Sequence, residues 1–283
     1  MLPLFRFAKA EIINKVFGAA FLYVHDFGPT LIVGRNLHST RGHYFFGVHS
    51  FEEELFAIHF LRKDELFIDV GANLGMFSIM VAATTGARAL AFEPSPSSAE
   101  VFKRHIALND LSDRIILLEK CVGDATGTAL IKNTVEMDNF VVLEGTKAMP
   151  EMASVPMVRI DDVVDGKVPC LMKMDIEGFE LQALNGATQL LKNRNLRAMT
   201  IEIAELSRRF GVSGHEIRDF ISGFGFLSIE YEPFGRRVSP TSLPKFSAAH
   251  KMITSDTIYV RDLEETRYRL TCSPARTLAG FTV

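Results

Sequence analysis

Tryptophan is absent from this 283-residue chain, and cysteine is nearly so: only Cys121, Cys170 and Cys272 occur. The three lie far apart and form no CxxC pair, which argues against a thiolate zinc site or a redox dithiol. An odd, sparse count also argues against a disulfide framework and fits a reducing, cytoplasmic setting. A dominant charge is missing as well. Lys plus Arg number 31 against 34 Asp plus Glu, a net −3. Bulk electrostatic binding to nucleic acid needs an excess of cations that this balance does not supply. A good membrane span is lacking too. Val70 to Ala87 carries no charge, but its Gly, Asn, Ser and Thr residues suit a bilayer poorly.

What is present describes a globular chain: 47% hydrophobic residues, 23% charged, and 23 Phe beside 5 Tyr. At about 150 residues per domain, the length allows one large domain or two small ones. At the N-terminus, Arg6, Lys9 and Lys15 precede the apolar run Val16 to Val24, a pattern shared with signal peptides. Glu11 interrupts the basic stretch, however, and His25-Asp26-Phe27-Gly28-Pro29 is no small-residue cleavage site. Phe5, Ala8, Ile12, Val16 and Ala20 recur at helical spacing and predict a surface or packing helix. Peripheral membrane contact through residues 1–24 is the lesser alternative, because the basic face is short.

Three regions follow from the patterning. Residues 1–60 read as an extension: one helix, short strands at Thr30–Val33 and Tyr44–Val48, and a helix over Glu52–Leu61. Residues 61–263 alternate strand and helix, and 264–283 form a tail. The predicted strands are Leu66–Val70, Ala87–Phe92, Arg114–Leu118, Leu171–Met174, Ala198–Ile203, Phe226–Tyr231 and Thr257–Val260. The predicted helices are Leu74–Thr85, Ser97–Asn109, Phe179–Lys192 and His215–Gly223. Residues 122–160 break the rhythm and read as a hairpin or insertion. Such alternation predicts an α/β fold, a doubly wound parallel sheet with helices on both faces. Ligands of these sheets bind beyond the C-terminal strand ends.

The first strand ends in Asp69-Val70-Gly71-Ala72-Asn73-Leu74-Gly75. A Gly-rich turn from strand to helix lets backbone approach a ligand and aims helix N–H groups at it. A nicotinamide-dependent oxidoreductase would carry GxGxxG here, but Asn73 and Met76 occupy two of the three glycine positions counted from Gly71. The acidic residue ahead of the turn suits a ligand with cationic groups, namely the sulfonium or amino group of S-adenosylmethionine. Glu93, at the end of the second strand, is placed to accept both ribose hydroxyls. Asp69 and Glu93 can also be read as ordinary strand-end residues capping helices. Their combination with the Gly loop favours a ligand.

The fourth strand runs Leu171-Met-Lys173-Met-Asp175-Ile-Glu177-Gly178. If the chain stays extended, Lys173, Asp175 and Glu177 share one face. Two carboxylates and an ammonium on a central strand are costly unless they face a pocket or each other. FIDVGANLGMFS, AFEPSP, LMKMDIEGFELQALNGA and IEIAE together resemble the FkbM-type methyltransferase family. YFFGVHSFEEELFAIHFLRKDELFIDVGAN and DTIYVRD extend the resemblance over roughly Gly42 to Asp262, with departures at Ser50 and Ser255-Asp256.

That resemblance implies a class I, Rossmann-like methyltransferase fold with a mostly parallel seven-stranded sheet and S-adenosylmethionine as cofactor. It implies O-methylation of a sugar, glycan precursor or secondary metabolite. By the same analogy Asp69, Gly71, Asn73 and Gly75 line the methionine end and Glu93 takes the ribose. Val122, Gly123 and Asp124, with Cys121, border the adenine. Asp175 and Glu177 face the transferable methyl and the acceptor, a small molecule or glycan.

Methyl transfer is an in-line displacement, so positioning dominates, and a hydroxyl acceptor must also lose a proton. Asp175 and Glu177 are the first candidates for that base, with Lys173 holding Asp175 ionised and Glu202 and Glu205 in reserve. Asp175, Glu177 and Glu202 as Mg²⁺ ligands form a minor alternative, since no tightly spaced ligand set is visible. His38, His43 and His49 read as structural. Arg41, Arg236 and Arg237 are candidates for an acceptor pocket, with surface exposure as the equal alternative. A catalytically silent cofactor-binding or scaffold protein is the rival from outside enzymes.

Overall fold

The first described elements are a hairpin, β1 (Phe21–Val24) and β2 (Thr30–Val33), followed by helices α1 (His38–Phe46) and α2 (Phe51–Phe60). This computed structural model describes residues 20–283, apart from 35–36, 49, 133–140, 143–151, 165, 204, 242–254 and 279–280. Most of the helix expected over Phe5–Ala20 lies outside the described residues. The strand expected at Tyr44–Val48 does not form. Its aromatic residues have strand propensity, but Tyr44 is buried edge-on against Phe21 and Tyr23 at 5.2 and 5.0 Å, and packing overrides propensity. The helix runs to Phe46 and stops at Gly47, whose N–H bonds to His43 O.

β3 (Leu66–Val70), α3 (Met76–Thr85), β4 (Arg88–Phe92), α4 (Pro96–Leu108) and β5 (Ile115–Leu118) follow as expected from the sequence. The break at 122–160 is a separate three-stranded sheet of β6 (Cys121–Val122), β7 (Gly127–Lys132) and β8 (Met152–Val158), then α5 (Ile160–Val164). β9 (Leu171–Met174) leads to α6 (Glu180–Asn185) and α7 (Thr188–Lys192) rather than to one long helix. The division falls at Gly186. A Cβ there would lie 2.0 Å from Gly123 O, and the Gly186 carbonyl accepts from Asp161 N–H at 3.0 Å. The Asp161 carboxylate then caps α7 through the Gln189 and Leu190 N–H groups, each at 2.9 Å.

β10 (Ala198–Ile203), α8 (Gly214–Gly223), β11 (Leu227–Glu232), β12 (Arg237–Pro240), β13 (Ser255–Val260) and α9 (Leu263–Thr271) complete the main sheet and its cover. β14 (Thr277–Leu278) and β15 (Phe281–Thr282) form a terminal hairpin. The main sheet has the order β12-β11-β13-β10-β9-β3-β4-β5, and β12 is an eighth strand beyond the seven expected. It folds back antiparallel on β11. β13 is antiparallel to both its neighbours, β10 and β11.

Apolar clusters cover both faces of the sheet. On one, Phe56 and Phe60 of α2 join Phe67, Ile79 and Phe102, together with Leu270 of α9 and the tail residue Val283. On the other, Ile68, Met172 and Met174 pack with Leu184, Leu191, Ile217 and Ile221. With no Trp, stacked Phe pairs such as Phe56–Phe60, 5.1 Å between centroids, fill the volume. Among the described residues no helix is long and apolar enough to cross a membrane.

The register positions the site. Val70 pairs with Phe92 on one side and Met174 on the other, so three strands end at one level and their loops meet. From β3 the chain builds outward to β4 and β5, then returns to build β9 and β10 on the opposite side. That reversal between β3 and β9 is where doubly wound sheets open a crevice.

Candidate active site

A crevice open to solvent, about 720 Å³ including its mouth, lies between the loops that follow β3, β4, β5 and β9. Gly71, Asn73, Glu93, Val122, Asp175 and Glu177, all expected from the sequence, line it. Lys120, Ile131, Val141 and Phe179 line it as well. Ile131 and the residue bridged to it, Val141, belong to the insertion and bring two apolar side chains to the crevice. Nothing in their local sequence marks them for this position.

The first loop is fixed peptide by peptide. Gly71 and Ala72 N–H both donate to Phe92 O, at 3.0 and 2.9 Å, and Asn73 N–H donates to Glu93 Oε2 at 2.7 Å. Gly71 sits at φ 79°, and a Cβ there would fall 1.9 Å from the Asp175 carbonyl. Its lack of a side chain therefore lets this loop close on the β9 loop, a tighter demand than approach to a ligand. Gly75 begins α3 at φ 80° with Phe102 filling the space of its missing Cβ, so it supports the loop from outside the crevice.

Asp69 lies beneath the loop, fully buried. It accepts from Ser78 Oγ at 2.7 Å and is 3.8 Å from Lys173 Nζ. Burial raises its pKa, and the Lys173 ammonium and the Ser78 hydroxyl oppose the rise. Glu93 is buried and accepts from Ser95 N–H at 2.8 Å through its other oxygen. Burial pushes its pKa up to about 7 against the pull of those two N–H donors. Each carboxylate oxygen keeps a second lone pair, so ribose hydroxyls can still donate to it.

On the β9 side, Lys173 Nζ lies 3.2 Å from Asp175 Oδ2 and donates to Gly71 O at 3.4 Å. Burial would lower its pKa, but the carboxylates of Asp175, Asp69 and Glu53 outweigh that and hold it above the ordinary lysine value. It is a fixed cation under the loop rather than a base. The strand ends at Met174 and Glu177 takes φ 54°, so alternation along an extended strand does not place Asp175 and Glu177 together. A turn delivers both to the crevice. A left-handed backbone at a non-glycine residue is strained, and Asn73, φ 52°, faces it from the other loop.

Glu180, the next acid of the motif, carries no local sequence signal of a role. It is buried at the start of α6, and its Oε1 accepts from Gly178 N–H at 2.7 Å. Burial raises its pKa to about 7, and Asp175 and Glu177 add to the rise. It braces the turn that carries the two outer carboxylates.

Other expected residues fall elsewhere. Gly123 packs against Met157 and Phe179, and Asp124 is exposed; neither lines the crevice. Glu202 lies on β10 without lining it, and the Glu205 side chain and His49 are outside the described residues. His43 is buried, with Nδ1 2.8 Å from Ser39 O and Nε2 2.9 Å from Glu54. Arg41 stacks on Phe45 with its guanidinium 5.6 Å from the ring. Arg236 is no acceptor-pocket arginine: its guanidinium donates to the main-chain carbonyls of Leu270, Ser273, Pro274 and Val283 and holds the tail. Arg237 pairs with Glu232 at 3.2 Å. Among the described residues, no three His, Cys, Asp or Glu side chains converge as metal ligands.

The donor set fits S-adenosylmethionine. Glu93 offers acceptors for the ribose, and Val122, Ile131 and Val141 offer an apolar wall for a flat base. Asn73 Oδ1 is buried in the crevice with no hydrogen-bond partner among the described residues, an acceptor in place for an ammonium.

A family model described as the methyltransferase FkbM domain matches residues 69–228. The methyltransferase sdnD of Sordaria araneosa is 28% identical over 172 residues, covering 49% of this chain and 66% of its own. The hexuronic acid methyltransferase AglP of Haloferax volcanii is 30% identical over 143 residues, covering 47% of this chain and 54% of its own. The chain thus spans less than two thirds of each of these relatives. A solved S-adenosylmethionine-dependent O-methyltransferase from Thermotoga maritima overlays 87% of this chain and 79% of its own, at 10% identity and a TM-score of 0.41. The family model begins at Asp69, takes in Glu93 and the whole Lys173–Glu180 turn, and covers more than half of the sequence: the chain belongs to the FkbM methyltransferase domain family.

Proposed function

We propose that this protein is an S-adenosylmethionine-dependent methyltransferase that acts on a hydroxyl of a sugar, glycan precursor or secondary metabolite. One observation carries the reading. Asn73 and Glu93, suited to the two ends of the cofactor, share a single crevice with Asp175 and Glu177, suited to the acceptor. S-adenosylmethionine would supply the methyl group when held by Gly71, Asn73, Glu93 and Val122. The chain itself aligns the acceptor and takes its proton. Asp175 or Glu177 accepts the hydroxyl hydrogen while the other orients the ring, and Lys173 keeps Asp175 ionised. The name of the Haloferax volcanii relative supports a sugar acceptor. The free cysteines support a cytoplasmic setting.

The test is transfer of a labelled methyl group to a panel of sugars, sugar nucleotides and hydroxylated metabolites. Activity on a hydroxyl-bearing acceptor, lowered about 10²-fold or more in Asp175→Asn, is the expected result. Near-normal turnover in both Asp175→Asn and Glu177→Gln would refute a base on this turn. Binding of S-adenosylhomocysteine without transfer to any acceptor would favour a silent cofactor-binding protein.

A further inference from the structure

Behind the first loop stands a side chain that belongs to neither motif. His105, on α4, is fully buried. Its Nδ1 lies 2.9 Å from the carbonyl of Leu74, between Asn73 and Gly75. Its Nε2 lies 3.0 Å from the N–H of Ile32 on β2. A carbonyl only accepts and an amide N–H only donates, so the ring carries one proton, on Nδ1, and is neutral. Burial supports this by pushing its pKa down to about 4.

One helical turn further on, Asn109 accepts from Thr30 N–H at 2.6 Å and donates to Thr30 O at 2.9 Å. Thr30 and Ile32 present these groups on the side of β2 away from β1. His105 of α4 and Asn109, which caps that helix, therefore pair with the hairpin where a third strand would otherwise be needed. An apolar residue at position 105 could fill the volume, but it would leave the Leu74 carbonyl and the Ile32 N–H buried without these partners.

We propose that His105 is a positioning residue that fixes the Leu74 carbonyl, and with it the backbone of Asn73 and Gly75, while making the N-terminal hairpin part of that support. The proposal rests on reading Asp69–Gly75 as the cofactor loop. It gives residues 20–34 a task in cofactor binding although none of them lines the crevice.

Two near-isosteric replacements separate the two ring contacts. The amide of Asn reaches the place of Nδ1 and can donate to Leu74. The amide of Gln reaches the place of Nε2 and can accept from Ile32. Calorimetric titration with S-adenosylhomocysteine should show His105→Asn weaker by about twofold to threefold, through the loosened hairpin, and His105→Gln weaker by about fivefold to tenfold. Hydrogen exchange at the Ile32 amide should accelerate in His105→Asn and stay near wild type in His105→Gln. Equal affinity in all three proteins, or the same loss in both variants, would overturn the proposal, because packing alone does not distinguish the two nitrogens. If a His105 variant fails to fold, Asn109→Ala supplies the test. It should speed exchange at Thr30 and Ile32 and weaken S-adenosylhomocysteine about twofold to threefold. Faster exchange with unchanged affinity contradicts the coupling. A wild-type protein that does not bind S-adenosylhomocysteine removes the cofactor reading itself, and this inference with it.

Discussion

Glu93 carries two duties that pull its proton in opposite directions. Without ligand, burial holds its carboxyl at about 7, against 4.5 for a free side chain. The folded protein then binds the proton more tightly than the unfolded chain, so this group withdraws stability as pH rises from about 4.5 to 7. Ribose hydroxyls donate to the ionised form, so cofactor binding should strengthen as pH rises toward about 7 and release a proton. Calorimetry of S-adenosylhomocysteine near pH 6.5, in two buffers of different ionisation enthalpy, should detect that release in wild type and not in Glu93→Gln. Lys173 is a different case. It neutralises the fully buried Asp69 as well as Asp175, so Lys173→Met strands a buried carboxylate and should cost about 3–5 kcal/mol in urea denaturation. The sequence showed Asp69, Glu93, Asp175 and Glu177 because acids at strand ends beside a Gly loop form a local pattern. It could not show that Asn73 Oδ1 is buried without a partner among the described residues, or that Glu180 sits under the turn, because burial depends on what the rest of the chain packs there.

Among the elements, the strands of the parallel core were legible because each is a short apolar run between turn residues, and β3, β4, β5, β9 and β10 fall within a residue or two of their expected bounds. The failures share a cause. The aromatic neighbours of Tyr44 favour a strand, yet its contacts with Phe21 and Tyr23 decide for a helix. The local pattern over α6 and α7 is that of one helix, yet contact with Gly123 and capping by Asp161 divide them. In each case a distant segment overrules the local signal. Close approach also gives the elements their most sensitive positions. At Gly75 a Cβ would fall 1.9 Å from the Phe102 ring, on a backbone at φ 80°. Gly75→Ala should destabilise the protein by about 2–5 kcal/mol, combining left-handed strain with overpacking. Adding Phe102→Leu should recover only the overpacking share. Full recovery in the double variant would show that the backbone at Gly75 is not under the constraint described.

For the whole molecule, the fold turns on one reversal in strand order. The chain builds β3, β4 and β5 to one side and returns to build β9 and β10 on the other, which brings two motifs about a hundred residues apart into a single crevice. The sequence announced both motifs and the alternation that makes them meet. It did not announce that Ile131 and Val141 line the crevice, because the insertion that carries them has no repeat or periodic pattern directing it there. The same limit applies to the tail, whose Leu270 and Val283 enter the core beside α2. Glu93 marks the ribose end of that crevice when it is taken as a cofactor site. The most direct measurement is a calorimetric titration of wild type and folded Glu93→Ala with S-adenosylhomocysteine, with NAD as the control ligand. Binding of S-adenosylhomocysteine but not NAD to wild type is expected, with a loss of about 1.5–3 kcal/mol in Glu93→Ala. Preference for NAD, or unchanged S-adenosylhomocysteine affinity in Glu93→Ala, would contradict it.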